Sequence, residues 1–209
     1  MSLFSFITGM IGCILVYSLG GPSNKILALF IGFFAFMQFI EYLLWNHQKC
    51  DNYNKLISKI GMWLNHLQPI VLGLLAIIFN PTIPYFIISI IILLYLCVII
   101  PYSLQYKDIG KLECTIKNLK TDHLKWVWNY LHYNVLVYVL FLLAVVLIFL
   151  YGLPNKELGI YAAIVAVVTY LSSVVIYKND VGSMWCFYAV FIPLLYYLYC
   201  KTFNKFINT

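Results

Sequence analysis

The hydrophobic pattern cuts the chain into seven apolar runs separated by short polar breaks. They are Leu3 to Leu19, Ile26 to Asn46, Leu56 to Phe79, Ile83 to Leu104, Val127 to Tyr151, Leu158 to Tyr177 and Val181 to Cys200. Gly20-Gly21-Pro22, Asn80-Pro81 and Gly152-Leu153-Pro154 close the first, third and fifth. A helix of about 20 residues crosses the ~30 Å hydrocarbon core of a bilayer. The runs lack the short alternating pattern of barrel strands. They predict an all-α fold: a seven-transmembrane-helix bundle forming a single domain over residues 1–209.

The connections after the second and fourth runs are long and charged. In the latter, Gln105 to Trp126, the residues Ile109, Leu112, Ile116, Leu119 and His123 recur at i, i+3, i+7, i+10 and i+14. This spacing predicts an interfacial amphipathic helix between helices four and five. Its lysines, from Lys107 to Lys125, would meet anionic lipid headgroups rather than nucleic acid.

Composition agrees with a bilayer as solvent. Of 209 residues, 64% are hydrophobic and 10% charged, against roughly 25% charged in a soluble domain. The net charge of +6 comes from lysine alone, which excludes a site needing a bidentate guanidinium. With seven crossings, the N-terminus and the 2–3, 4–5 and 6–7 connections share one face, here face A. It carries Lys49, Lys55, Lys59, Lys107, Lys111, Lys117, Lys120, Lys125 and Lys178; face B carries Lys25, Lys156, Lys201 and Lys205. This bias predicts a cytoplasmic N-terminus and an outside C-terminus. No cysteine pair forms a C-x-x-C, and most cysteines fall in apolar runs as small hydrophobes. A disulfide between Cys50 and Cys114, the two loop cysteines of face A, would reverse the orientation, because such bonds persist in oxidising compartments. The N-terminal run has no basic flank or small-residue cleavage site and reads as a retained helix.

The polar residues inside the runs collect in the face-A half. Gln38, Glu41 and Trp45 lie at i, i+3 and i+7 on helix two; Asn65, His66 and Gln68 open helix three; His132 opens helix five; Ser183, Trp185 and Cys186 open helix seven. Polar groups in lipid must find partners, so their shared depth predicts a polar chamber open to face A and closed by apolar residues beyond. Pro69 has no N–H, so the Asn65 carbonyl loses its helical partner and a kink is expected there. Pro101 and Pro193 should do the same near Cys97 and Ala189.

Glu41 is the residue best suited to handle charge, since intramembrane acids are usually functional. Paired with His66 or His132 it could relay a proton or act as a base. Glu41, His66 and His132 could also hold a metal, although no ligand-spacing fingerprint supports this and no cofactor is expected. A retinal Schiff base is excluded, because the last helix has no lysine before Lys201. The leading expectation is a chamber binding or conducting a small polar ligand, ion or proton. An intramembrane enzyme acting on a lipid substrate and a non-catalytic receptor or assembly module are the alternatives.

Two motifs, Gln38-x-x-Glu41-x-x-x-Trp45 and Ser183-Met184-Trp185-Cys186-Phe187, resemble an uncharacterised family of small seven-helix membrane proteins. That family, a domain of unknown function, occurs in bacteria, with relatives in algae and large DNA viruses. The resemblance implies a fold and no activity, and implies that helices two and seven bring Gln38, Glu41, Ser183, Trp185 and Cys186 together.

Overall fold

The computed structural model describes residues 2–109, 113–118, 123–177 and 181–209, leaving aside the side chains of 108, 109, 177 and 181–183. It is mainly helical. The elements are α1 (Ser2–Ser18), α2 (Pro22–Asn46), α3 (Asn52–His66), α4 (Gln68–Phe79), α5 (Tyr85–Ile109), β1 (Ile116–Lys117), β2 (Leu124–Lys125), a 3-10 turn (Val127–Tyr130), α6 (Asn134–Gly152), α7 (Lys156–Tyr177), α8 (Val181–Ala189) and α9 (Ile192–Phe203). Five spans are long and apolar enough to cross a membrane, namely α2, α5, α6, α7 and the run Met184–Phe203 through α8 and α9, and α3 with α4 makes a sixth as one bent pair. The chain is therefore a multi-pass membrane protein. Residues such as Phe86, Val135 and Val175 stand at more than 70% exposure on its flanks, as a lipid-facing surface requires.

Helix α2 is the hub. Of its most apolar window 61% is buried, against 22–39% for the other four long spans. It packs on α1, α3, α4 and α8. Gly20 and Gly21 turn the chain into it at φ of 73° and 76°, a region that side chains disfavour. Pro22 then occupies its first turn, where a missing N–H costs nothing.

The proline expectations divide. At Pro69 the chain bends by 47° between α3 and α4. At Pro193 it breaks between α8 and α9. Pro101, by contrast, lies inside an uninterrupted α5.

The connection from Gln105 to Trp126 differs from the expected interfacial helix. Helix α5 continues only to Ile109; beyond it, Ile116 pairs with Lys125 and Lys117 with Leu124 in an antiparallel ribbon. Leu112 and Leu119 lie outside the described residues. The reason is tethering. Cys114 is bonded to Cys50, Asn54 Nδ2 donates to the Thr115 carbonyl at 2.9 Å, and the Lys117 amide donates to Gln48 Oε1 at 2.6 Å. These bonds draw the segment onto the α2–α3 junction in extended form. The fifth apolar run also starts late: Trp126 and Trp128 pack together at 4.3 Å in and beside the 3-10 turn, and α6 begins only at Asn134. Gly61 makes room for them, since a Cβ there would lie 3.2 Å from each indole.

The end of the bundle where α1 meets α2 is stitched by amides. The buried Asn24 donates to the Gly20 and Phe206 carbonyls at 2.9 and 2.7 Å and accepts from Tyr196 Oη at 2.8 Å. Asn80 donates to the Gly152 carbonyl at 2.9 Å, and the Asn155 amide donates to Ser23 Oγ at 3.1 Å. Replacing Asn24 by Ala strands these partners, and a lost buried hydrogen bond costs about 1–3 kcal/mol. Asn24→Ala should therefore lower unfolding stability in detergent by roughly 3 kcal/mol. Hydrogen exchange at the Asn208 amide, which donates to the Leu19 carbonyl at 2.9 Å, should accelerate; unchanged exchange there would show that the C-terminal segment is held by other contacts.

Candidate functional site

Helix α2 turns Gln38 and Glu41 inward because they sit three residues apart on its buried face. They are 1% and 6% exposed, and Gln38 Nε2 donates to Glu41 Oε2 at 3.3 Å. The buried Cys186 of α8 lies within electrostatic reach of Glu41. One turn before Gln38, Phe34 meets the Trp185 ring edge-on at 5.5 Å, and Phe141 and Tyr170 meet it at 5.5 and 5.4 Å. The Trp185 indole N–H donates to Thr169 Oγ1 at 3.0 Å. Helices α2, α6, α7 and α8 thus converge on one tryptophan. Trp45 is half-buried and packs at the margin of the core. The Ser183 side chain lies outside the described residues.

A second cluster forms where α3 and α4 meet α5. His66 Nδ1 is 2.8 Å from Ser103 Oγ. The Ser103 hydroxyl donates its one proton to the Ile99 carbonyl at 2.7 Å, so toward His66 it must accept. Nδ1 then carries the proton, and Nε2 of the neutral ring is an acceptor. The His66 carbonyl, in the turn that Pro69 opens, accepts from Tyr95 Oη at 3.0 Å. Tyr102 Oη donates to the Trp128 carbonyl at 2.7 Å.

A third cluster ties α3 to α6. Asn65 Nδ2 donates to Tyr138 Oη at 3.5 Å, and Tyr138 donates onward to Asn129 Oδ1 at 2.7 Å. Asn134 Nδ2 donates to the Asn129 carbonyl.

Two buried residues at the α3–α4 break carry unmet polar atoms. His66 is 1% exposed and Gln68 fully buried. The His66 Nε2 and both amide atoms of Gln68 meet no hydrogen-bonding group of the protein. Three unmet polar atoms at one helix break are a concentrated cost, at about 1–3 kcal/mol each.

The expected constellation is therefore partly assembled. Gln38 bonds Glu41, and Trp185 packs on Phe34 one turn further along α2, while Asn65, His66 and Gln68 flank the α3–α4 break with different partners. His132 does not join them; it is exposed in the turn before α6, because that helix starts only at Asn134, seven residues after its apolar run opens at Val127. Among the described residues no group of three His, Cys, Asp or Glu is placed to hold a metal, so the Glu41, His66 and His132 arrangement does not form. The open polar chamber is likewise replaced by side chains that bond one another, and Thr169 and Ser173 bond their own helix. Two cavities stand out, and both are lined almost wholly by apolar groups.

Ser103, Tyr95, Tyr138 and Asn129 escaped sequence reasoning. Three of them sit among residues too common to stand out, in a chain with 18 tyrosines. Ser103, two positions after Pro101, was the one available signal. Outside the membrane, Asp51 caps α3 by accepting from the Asn54 amide at 3.0 Å and pairs with His47 at 2.8 Å. The amide bond, then the histidine, hold its carboxyl below the usual range.

Ser103→Ala removes the acceptor for the His66 Nδ1 proton. Thermal unfolding in detergent should show a loss of about 1–3 kcal/mol, and Ser103→Thr should recover most of it. A neutral alanine variant would mean that the imidazole is held by other means.

No family model, curated protein or solved structure matches the chain, so the comparisons do not bear on the family that the two motifs resemble, and function rests on the geometry.

Proposed function

We propose that the chain crosses the membrane seven times and holds water-sized polar molecules, or a proton, in its face-A half against His66 and Gln68. The seven-crossing reading is supported by how the helix ends meet. Gly20, Asn24, Asn80, Gly152, Asn155 and Phe206 bond together at one end. The α2–α3 junction and residues 114–117 bond together at the other. Ends alternate in chain order if α1, α2, α3 with α4, α5, α6, α7 and α8 with α9 each cross once.

The single observation that carries the binding reading is the fully buried Gln68, with neither amide atom engaged by protein. An amide offers donor and acceptor at once, and His66 Nε2 adds a second acceptor. Buried water or a similarly small polar species satisfies such groups. Glu41, held by Gln38, is the charge-handling group of this tier.

Binding is favoured over conduction. Beyond the tier the bundle closes tightly: a Cβ on Gly73 would lie 2.6 Å from Ile92 Cδ1, and one on Gly152 would lie 2.9 Å from Ala76 Cβ. Buried Leu72, Ile88 and Ile148 fill the same region.

Orientation is the second element of the proposal. The Cys50–Cys114 bond favours face A in an oxidising compartment, with the N-terminus on that side. This reverses the orientation that the lysine tally suggests. We give the bond more weight, because charge bias is a statistical preference whereas a reducing compartment removes a disulfide altogether.

Gln68→Leu tests the tier. An amide satisfied by bound polar molecules should be missed, so stability should fall by about 1–3 kcal/mol, and proteoliposomes of the wild type should pass protons no faster than empty vesicles. A neutral or stabilised Gln68→Leu would refute the bound species, and a proton flux lost in Glu41→Gln would replace binding by conduction. For orientation, protein should be taken from native membranes with thiols blocked at lysis. Peptide mapping should recover Cys50 and Cys114 linked; recovery of both as blocked thiols would return face A to the cytoplasm.

A further inference from the structure

The larger cavity lies on the opposite flank, away from the polar tier. It has a volume of about 490 Å³ and is a cleft between α7 and α9, floored by Leu27 and Ile31 of α2. A second space of about 90 Å³ shares Leu27, Ile31, Ala162, Val165 and Ile192 with it and reaches Thr169 and Trp185. The two adjoin through these shared walls, and together their linings extend from Leu158 and Tyr199 near face B to Trp185 in mid-bundle. Along α7 this is the rise from Leu158 to Thr169, about 17 Å. One leaflet of the hydrocarbon core is about half of 30 Å. The volume falls in the ordinary range of ligand pockets, about 300–1,000 Å³.

The chemistry of the walls selects the occupant. The residues beside the cleft, Ile164, Val168 and Leu195, are exposed where lipid lies, so its side opens onto hydrocarbon. At the inner end the polar groups are already used. Thr169 Oγ1 accepts from the Trp185 indole and donates to the Val165 carbonyl at 2.7 Å. Tyr196 Oη is engaged by Asn24. A polar headgroup would find no partner inside, so a chain entering the cleft must lead with its methyl end. The face-B ends of the helices carry Lys25, Lys156, Lys201 and Lys205, with Glu157 as the one acidic residue of those segments. Ammonium groups at the headgroup level attract anionic lipid.

We propose that the α7–α9 cleft is a lipid site that takes one acyl chain of an anionic phospholipid from the face-B leaflet, methyl end at Trp185 and phosphate among the four lysines. Helix α9 packs on α1, while α7 packs on α6 and α8, and the space lies between α7 and α9. Phe206, edge-on to Tyr161 at 6.0 Å and stacked on Tyr196 at 6.3 Å, closes the lower corner.

The test uses the full chain in nanodiscs of mixed phosphatidylcholine and phosphatidylglycerol, with a photoactivatable diazirine near the methyl end of the phosphatidylglycerol chain. Crosslinks mapped by mass spectrometry should concentrate on Val165, Ile192 and Trp185, several-fold above those on the exposed Phe86 and Val135. Ala162→Trp fills the cleft and should abolish the concentration. Leu195→Trp, a surface change at the mouth, should reduce it and serves if the first variant does not fold. Leu93→Trp, on the exposed side of α5 and away from the cleft, should leave it intact. Even labelling over all lipid-facing helices, or an unchanged pattern in the Trp variants at 162 and 195, would overturn the site. Equal labelling by a phosphatidylcholine probe would overturn the anionic headgroup.

Discussion

Hydrocarbon offers no hydrogen bonds, so each polar group carried into the bundle must be met by another polar group of the same chain. Most of the architecture follows from that constraint. Helix α2 carries Gln38 and Glu41, and it is also the most enclosed span. A carboxyl facing lipid would cost several kcal/mol; enclosing α2 between α1, α3, α4 and α8 removes that exposure. Where Pro69 opens the α3–α4 backbone, Tyr95 answers the His66 carbonyl. The same break leaves His66 Nε2 and Gln68 partly unmet, which is where a bound polar species has its chemical reason.

The two halves of the bundle solve different problems. The face-A half gathers side-chain networks: Gln38 with Glu41 within α2, α3 with α5 through His66 and Ser103, and α3 with α6 through Asn65, Tyr138 and Asn129. The middle and the face-B half are closed by packing, with Gly73 and Gly152 allowing near backbone contact. Trp185 stands at the boundary, touching Phe34, Phe141 and Tyr170. Polar tier and lipid cleft approach it from opposite sides.

At the membrane surfaces the restraints are covalent or amide-based. On face A, a disulfide and two side-chain bonds pin an extended ribbon across the α2–α3 junction. A free amphipathic segment would have taken helical form; a segment pinned at Cys114, Thr115 and Lys117 cannot wind there. On face B, asparagines do the same work without covalent bonds, joining residues 182 positions apart through Asn24 and Phe206.

By itself the sequence determined the solvent, the apolar runs and two of the helix breaks. Span length and proline chemistry are local properties, and they carry over unchanged into α2, α7 and the α3–α4 bend. It also determined that Gln38 and Glu41 share a face, because three-residue spacing on a helix permits nothing else. Only the tertiary structure decided what those groups touch. His132 has the same chemical promise as His66, yet one is exposed and the other buried, since that depends on where α6 starts and not on residue type. The Cys50–Cys114 pairing, the ribbon in place of an interfacial helix and the cleft left open beside α9 all depend on contacts between residues distant in sequence. Periodicity has no access to such contacts, because it records which way a side chain faces and not what stands opposite.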